Sequence, residues 1–205
     1  MSVLRVFLAS TNPAKLREYR ALAGNSCVTL ELLPEFSSLP AFDESASTFA
    51  ENSAGKALHY SQFAAELLIA DDSGLVVPAL GGAPGVHSAR YAGPGASDPE
   101  RIQKLLREMQ GKTGRDRRAR FVCVVTLARH GRALAVVSDF VEGTLTSEPQ
   151  GSNGFGYDPL FFLPELGRTL AESSPQEKNH YSHRGRAFRK MLAVLLDRSD
   201  SLTLS

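Results

Sequence analysis

Residues Leu68 to Arg90 read LIADDSGLVVPALGGAPGVHSAR, and the fold is decided by how this stretch is read. The apolar run Leu67-Leu68-Ile69-Ala70 breaks at Asp71-Asp72-Ser73-Gly74. Leu75-Val76-Val77 is apolar again, and a Gly/Pro-rich loop follows from Gly81 to Gly85. Apolar residues in succession predict a strand covered on both faces. Ionised carboxylates at its end are costly to desolvate unless a cation or donors meet them, and α/β sheets bind ligands at strand ends. Successive strand side chains point to opposite faces, so Asp71 and Asp72 cannot both aim at one ligand. One carboxylate is expected to face a site and the other to be structural, with any second metal ligand supplied from elsewhere. Asp-Ser-Gly is also a common turn sequence, and on this stretch alone a site and a turn weigh equally.

The chain as a whole narrows the choice. Its 205 residues suit one globular domain, or one with two lobes. Lys plus Arg total 23 against 22 Asp plus Glu; this balance offers no general field for nucleic acid or membrane, so an anionic ligand needs a local cluster. Cys27 and Cys123 are far apart in apolar contexts, without metal-ligand spacing, and read as buried thiols in a reducing compartment. The N-terminal apolar run is too short for a signal peptide and no stretch has transmembrane length, so a cytoplasmic protein is expected.

Val3 to Ala9 predicts a first strand, followed by Ser10-Thr11-Asn12-Pro13-Ala14-Lys15 and a helix through Leu16, Tyr19 and Ala23 to a stop at Gly24. A helix N-terminus with a lysine suits an anion, although the glycines of a P-loop are missing and, taken alone, these residues favour an ordinary N-cap. Cys27 to Leu33 predicts a second strand, and the loop from Pro34 to Ser47 carries Asp43 and Glu44. Thr48-Phe49-Ala50-Glu51 opens a helix expected to reach about Glu66, with Asn52 and Lys56 on one face. Ser97 to Glu100 starts another helix, and the basic run from Lys112 to Arg120 reads as a solvated loop. Residues 119–129 and 133–145 predict a central antiparallel hairpin about Gly131.

Gly151-Ser152-Asn153-Gly154-Phe155-Gly156-Tyr157-Asp158-Pro159 allows close backbone approach to a ligand and presents Phe155 as a flat platform. Thr169 to Glu172 repeats the capping pattern. Lys178 to Arg186 gathers cations just before the last helix, where they oppose the helix dipole, so an anion is expected beside them.

Taken together, these segments resemble the inosine-triphosphate pyrophosphatase family of non-canonical purine nucleoside triphosphate pyrophosphatases. The resemblance runs from Leu8–Lys15 through Phe49–Asn52, Ala70–Leu75, Gly81–Gly85, Gly154–Pro159 and Lys178-Asn179 to Ser182–Gly185. Ala14 stands where the family often has Gly, which makes the loop before Lys15 less permissive. The resemblance implies an α/β fold, an elongated mixed sheet flanked by helices, as one domain over residues 1–205 with two lobes and a nucleotide cleft between them. It implies Mg²⁺-dependent hydrolysis of ITP, dITP and XTP to the monophosphate and pyrophosphate by a homodimer that binds neither nucleic acid nor membrane. By position it makes Asp72 the metal ligand and proton acceptor and Glu44 the second metal carboxylate. Ser10, Thr11, Asn12, Pro13, Ala14 and Lys15, with Lys56 and Ser73, would hold the triphosphate. Phe155, Gly156, Tyr157, Asp158, Lys178, His183 and Arg184 would hold the base and sugar. Selecting a 6-oxo purine by buried donors can discriminate by on the order of 10⁴. Two other readings stay open: a pyrophosphatase for modified pyrimidine or methylated nucleotides, and a nucleotide sensor without turnover.

Overall fold

The computed structural model describes residues 3–202, with side chains through Asp197. Seven strands form one sheet in the order β2-β1-β3-β4-β5-β6-β7. They are β1 (Leu4–Leu8), β2 (Val28–Leu32), β3 (Leu67–Val76), β4 (Arg118–Arg129), β5 (Arg132–Leu145), β6 (Phe161–Leu163) and β7 (Arg168–Thr169). The helices are α1 (Pro13–Ala23), α2 (Phe49–Tyr60), α3 (Asp98–Glu108), α4 (Pro175–Tyr181) and α5 (His183–Leu202). β1 pairs in parallel with β2 and β3, whereas β6 is antiparallel to both β5 and β7, so the sheet is mixed. Among the described residues no helix is long and apolar enough to cross a membrane.

The chain divides into two compact units, one of Met1–Asp72, Cys123–Asp139 and Arg184–Ser205, the other of Ser73–Val122 and Phe140–His183. In the first, strand alternation sorts the core onto two faces. Val6, Leu8, Ile69, Val125 and Leu127 pack with Leu16 and Tyr19 of α1 and with Phe188, Met191 and Leu195 of α5. Phe7, Leu68, Ala70 and Ala128 face the other way, against Ala57 and Tyr60 of α2. Ser53 fixes α2 by donating to Ala70 O at 3.1 Å and lying 2.9 Å from the Thr126 hydroxyl. In the second unit, Ile102, Leu105 and Met109 from α3 and its C-terminal end pack with Phe121, Val141, Leu145, Tyr157 and Phe161.

Four expectations change. β3 does not stop at Asp71; it continues to Val76, and the two carboxylates lie just past Ile69, the last residue paired with β1. α2 ends at Tyr60 rather than near Glu66, because Ser61 turns its hydroxyl to Leu58 O and accepts from the amide of Gly131 in the β4–β5 turn. The basic run is not one solvated loop: Arg117 donates to the carbonyls of Leu145, Thr146 and Lys112, and Arg118 begins β4. The cations from Lys178 to Arg186 do not form one segment ahead of the last helix: Lys178 precedes it in a helix of its own, α4, whose capping box joins Ser174 and Glu177, and Arg184 and Arg186 lie within α5. The hairpin is confirmed: His130 and Gly131 both take positive φ, of 48° and 75°, as a two-residue turn between strands of right-handed twist requires.

Candidate functional site

In the first unit the alternation of β3 decides which partners each aspartate meets. Asp71 continues the face of Leu67 and Ile69, and there it finds α1 and α5. The Lys15 ammonium straddles its carboxylate, 3.0 Å from Oδ1 and 2.9 Å from Oδ2. Arg184 Nε lies 3.5 Å from Oδ2, and its Nη1 donates to Glu18 Oε2 at 2.6 Å. Asp71 is wholly buried, and burial alone would raise its pKa; Lys15, Arg184 and Lys56 outweigh that and hold it well below the usual carboxylate range. The expected anion beside Arg184 is thus supplied by the protein itself.

Asp72 continues the face of Leu68 and Ala70, toward α2. Burial raises its pKa, with Lys56 and Lys15 acting in the opposite sense and Glu44 reinforcing the rise; Asn52 on α2 hydrogen-bonds to its carboxylate. Lys56 Nζ donates to Glu44 Oε1 at 2.9 Å. Desolvation would lower the pKa of Lys56, but Asp71, Glu44 and Asp72 together raise it. Glu44 sits on a loop that α2 grips at several points. Asn52 exchanges hydrogen bonds with both backbone groups of Ala46, the Tyr60 hydroxyl accepts from Phe42 N, and a Cβ at Gly55 would meet the Phe42 ring at 2.4 Å. That absence of a side chain lets the loop lie directly on the helix.

Ser10 to Lys15 form the N-terminal entry of α1. Asn12 caps it by accepting from Ala14 N at 2.9 Å, Ser10 Oγ accepts from Asn12 N at 3.0 Å, and Pro13 occupies the first turn. The amides of Asn12 and Ala14 are therefore used within the loop, and Lys15, on the same turn, provides the charge. Two carboxylates of hard oxygen donors, Asp72 and Glu44, share the surroundings of Lys56. Among the described residues no group of three or more His, Cys, Asp or Glu side chains could hold a metal ion. A Mg²⁺ site of one or two carboxylates completed by substrate phosphate fits that set.

In the second unit the Gly-rich loop is organised by Asp158, which is buried. Its Oδ2 accepts from Phe155 N at 2.9 Å and from Lys178 Nζ at 2.6 Å, and the same ammonium lies 4.5 Å from the centre of the Phe155 ring. Gly154 takes φ +78°, and a Cβ there would meet Asp158 Oδ2 at 2.1 Å, so only glycine lets the carboxylate reach the loop. Tyr157, buried, donates to Ser88 O at 3.0 Å. His183 stacks on Phe121 with centroids 4.7 Å apart and an interplanar angle of 10°. Ser73 lies on β3 one residue before Gly74, where a Cβ would meet Ser88 Oγ at 2.4 Å; the segment Gly85–Arg90 is seated there as Ser88 Oγ accepts from Leu75 N.

The structure gathers Lys15, Lys56, Glu44, Asp71, Asp72 and Arg184 in the first unit, and Phe155, Gly156, Tyr157, Asp158, Lys178 and His183 in the second. Sequence reasoning missed Glu18, Asn52's grip on the Glu44 loop, Ser88, and the pair Asp98–Arg101. Ser174-Pro175-Gln176-Glu177 carried a readable helix-start signal for α4, and Asp98–Arg101 a readable i,i+3 spacing; Glu18 carried none, since it meets Arg184 across 166 residues.

These features define an α/β protein with a mixed sheet, whose buried carboxylates are matched by lysines and an arginine from four different helices. The chain belongs to the Ham1 family, whose model matches residues 6–194. It is 48% identical over 186 residues to a dITP/XTP pyrophosphatase of Geobacillus kaustophilus, covering 91% of each chain. It is 45% identical over 193 residues to a dITP/XTP pyrophosphatase of Pectobacterium atrosepticum, covering 93% of this chain and 98% of that one. Among solved structures, a HAM1 protein from Coxiella burnetii superposes with a TM-score of 0.84 at 43% identity, covering 95% of this chain and 99% of that one. The Staphylococcus aureus Ham1 protein gives 0.83 at 36% identity, over 95% and 99% of the two chains.

Proposed function

We propose that this chain hydrolyses non-canonical purine nucleoside triphosphates, ITP, dITP and XTP, to the nucleoside monophosphate and pyrophosphate. The observation that carries the reading is the pairing of opposite environments on β3: a carboxylate locked by Lys15 and Arg184 beside one whose ionisation burial disfavours, flanked by Lys56 and Glu44. The names of the relatives support the substrate class.

Asp72 and Glu44 would hold Mg²⁺. Bound there, it would supply charge neutralisation at the phosphate oxygens and acidify a coordinated water. Asp72 accepts the proton of the water whose oxygen attacks the α-phosphorus. The bond from the α-phosphorus to the bridging oxygen breaks, and that oxygen leaves with pyrophosphate. Lys15 and Lys56, with Ser73 and the Ser10–Ala14 loop, bind the leaving phosphates and stabilise their growing charge. Asp71 orients Lys15 by gripping its ammonium on both oxygens.

At the base end Phe155 stacks against the purine, Asp158 and Lys178 hold the loop that carries it, and Gly156, Tyr157 and His183, the last stacked on Phe121, complete the base and sugar site. Arg184, 2% exposed with its guanidinium directed to Glu18 and Asp71, serves the phosphate end through Asp71. The enzyme is proposed to be a cytoplasmic homodimer that binds no nucleic acid. Initial rates on ITP, dITP, XTP, ATP, GTP, dUTP and dTTP with and without Mg²⁺ test the assignment. Pyrophosphate release confined to the 6-oxo purines other than GTP and dependent on Mg²⁺ is expected; comparable rates on ATP or dTTP would refute it.

A further inference from the structure

Two successive amides of the Gly-rich loop donate to two different carboxylates. Phe155 N meets Asp158 Oδ2 at 2.9 Å, and Gly156 N meets Asp98 Oδ2 at 2.7 Å. Asp98 lies 58 residues earlier in the chain, at the first position of α3. A carboxylate there is favoured by the helix dipole, but α3 does not need it as a cap. Ser97 accepts from Glu100 N, and the Glu100 side chain accepts from Ser97 N, a complete capping box without Asp98. Asp98 spends one oxygen on Gly156 and the other on an ion pair with Arg101, one turn along α3. Arg101 is itself fixed, its Nη1 donating to Ala89 O and Ala96 O, both at 2.7 Å. Gly156 has φ +65°, a backbone state that favours glycine, so the amide and the ring one residue before it move as one tight turn.

We propose that Asp98, held by Arg101, is a positioning residue that sets the Phe155 ring for stacking on the base. The inference rests on the hydrolase reading for its ligand. A charge-assisted hydrogen bond to a backbone amide is stronger than a neutral one and fixes direction as well as distance. Without it the turn bearing Phe155 loses one of the two carboxylates that hold its successive amides, and the angle of the ring is less firmly set. The loss falls on ligands that carry a base. Ligands that are phosphate alone do not sense it.

The test compares wild type with Asp98→Ala, Asp98→Asn and Arg101→Ala. IMP binding is measured by calorimetry, KM and kcat for dITP from pyrophosphate release, and Ki from competition by inorganic tripolyphosphate. Asp98→Ala is expected to weaken IMP binding and raise KM about tenfold, the loss of one charge-assisted hydrogen bond, with kcat within about twofold and the tripolyphosphate Ki unchanged. Asp98→Asn, which keeps an acceptor oxygen, falls between it and wild type. Should Asp98→Ala fail to fold, Arg101→Ala is expected to give the same split between base-bearing and base-free ligands. Unchanged IMP binding in a folded variant, or equal weakening of IMP and tripolyphosphate, would overturn the inference. A wild type that binds IMP but releases no pyrophosphate refutes the hydrolase reading and leaves the inference to the IMP measurement. A wild type that binds no IMP overturns both.

Discussion

Lys15 grips Asp71 on both carboxylate oxygens, at 3.0 and 2.9 Å, one residue before Asp72 on the opposite face of β3. The two neighbouring acids are consequently shifted in opposite directions, Asp71 well below the usual carboxylate range and Asp72 upward from its ordinary value. Asp71→Asn leaves Lys15 without its buried counter-charge and takes from Arg184 one of its two acidic neighbours, Glu18 being the other, and is expected to destabilise the fold by about 3–5 kcal/mol at pH 7. A depressed folded pKa contributes stability that is present above the unfolded carboxylate value, about 3.9, and is lost as pH falls through the folded value. Urea denaturation of wild type and variant should therefore differ most at neutral pH and converge as the pH drops well below about 4.

Asp72→Asn should act in the other direction on stability. A raised folded pKa means that the protonated form favours folding: that stability is complete below the unfolded value of about 3.9 and is lost as pH rises through the folded value. The neutral amide removes this cost, so metal-free Asp72→Asn is expected to be at least as stable as wild type at pH 7 by urea denaturation. A clear loss of stability would contradict the environment assigned to Asp72.

Gly154→Ala places a methyl group 2.1 Å from Asp158 Oδ2 at a φ of +78°. The carboxylate must withdraw from Phe155 N or the loop must lift. The variant should lose about 1–3 kcal/mol in stability and raise KM for dITP, while inhibition by tripolyphosphate holds. Equal weakening of both ligands would show that the loop does not serve the base alone.

Glu44→Gln keeps a hydrogen-bonding partner for Lys56 but removes one of two negative charges from the proposed Mg²⁺ site. The Mg²⁺ concentration for half-maximal rate should rise at least about tenfold, a loss seen even for outer-shell partners of a metal. The shift can be checked independently by Mg²⁺-dependent protection against thermal unfolding. An unchanged Mg²⁺ requirement would remove Glu44 from the site.

Much of this was legible in the sequence because it rests on local periodicity. Alternation along β3 predicted that Asp71 and Asp72 would divide, and the structure assigns the structural place to Asp71 through Lys15 and Arg184. Asn12-Pro13, Ser97 to Glu100 and His130-Gly131 fixed their turns and caps through chemistry within three residues. What stayed hidden depends on distance in the chain. Glu18 meets Arg184 across 166 residues and Asp98 meets Gly156 across 58, and no composition or spacing announces such pairs. The continuation of β3 beyond Asp72 was masked for a related reason: two buried carboxylates inside a strand look like its end until Lys15, Arg184 and Asn52 are seen to meet them.

The central claim is that Asp72 accepts a proton and holds a metal during attack on the α-phosphorus. Its most direct test is pyrophosphate release from dITP at saturating Mg²⁺ by wild type and by folded Asp72→Asn. The account predicts pyrophosphate and dIMP in equal amounts from wild type, and a rate lower by about 10²–10⁴ in the variant, the range for loss of a general base. Release of single phosphate, or an Asp72→Asn rate within a few fold of wild type, would contradict it.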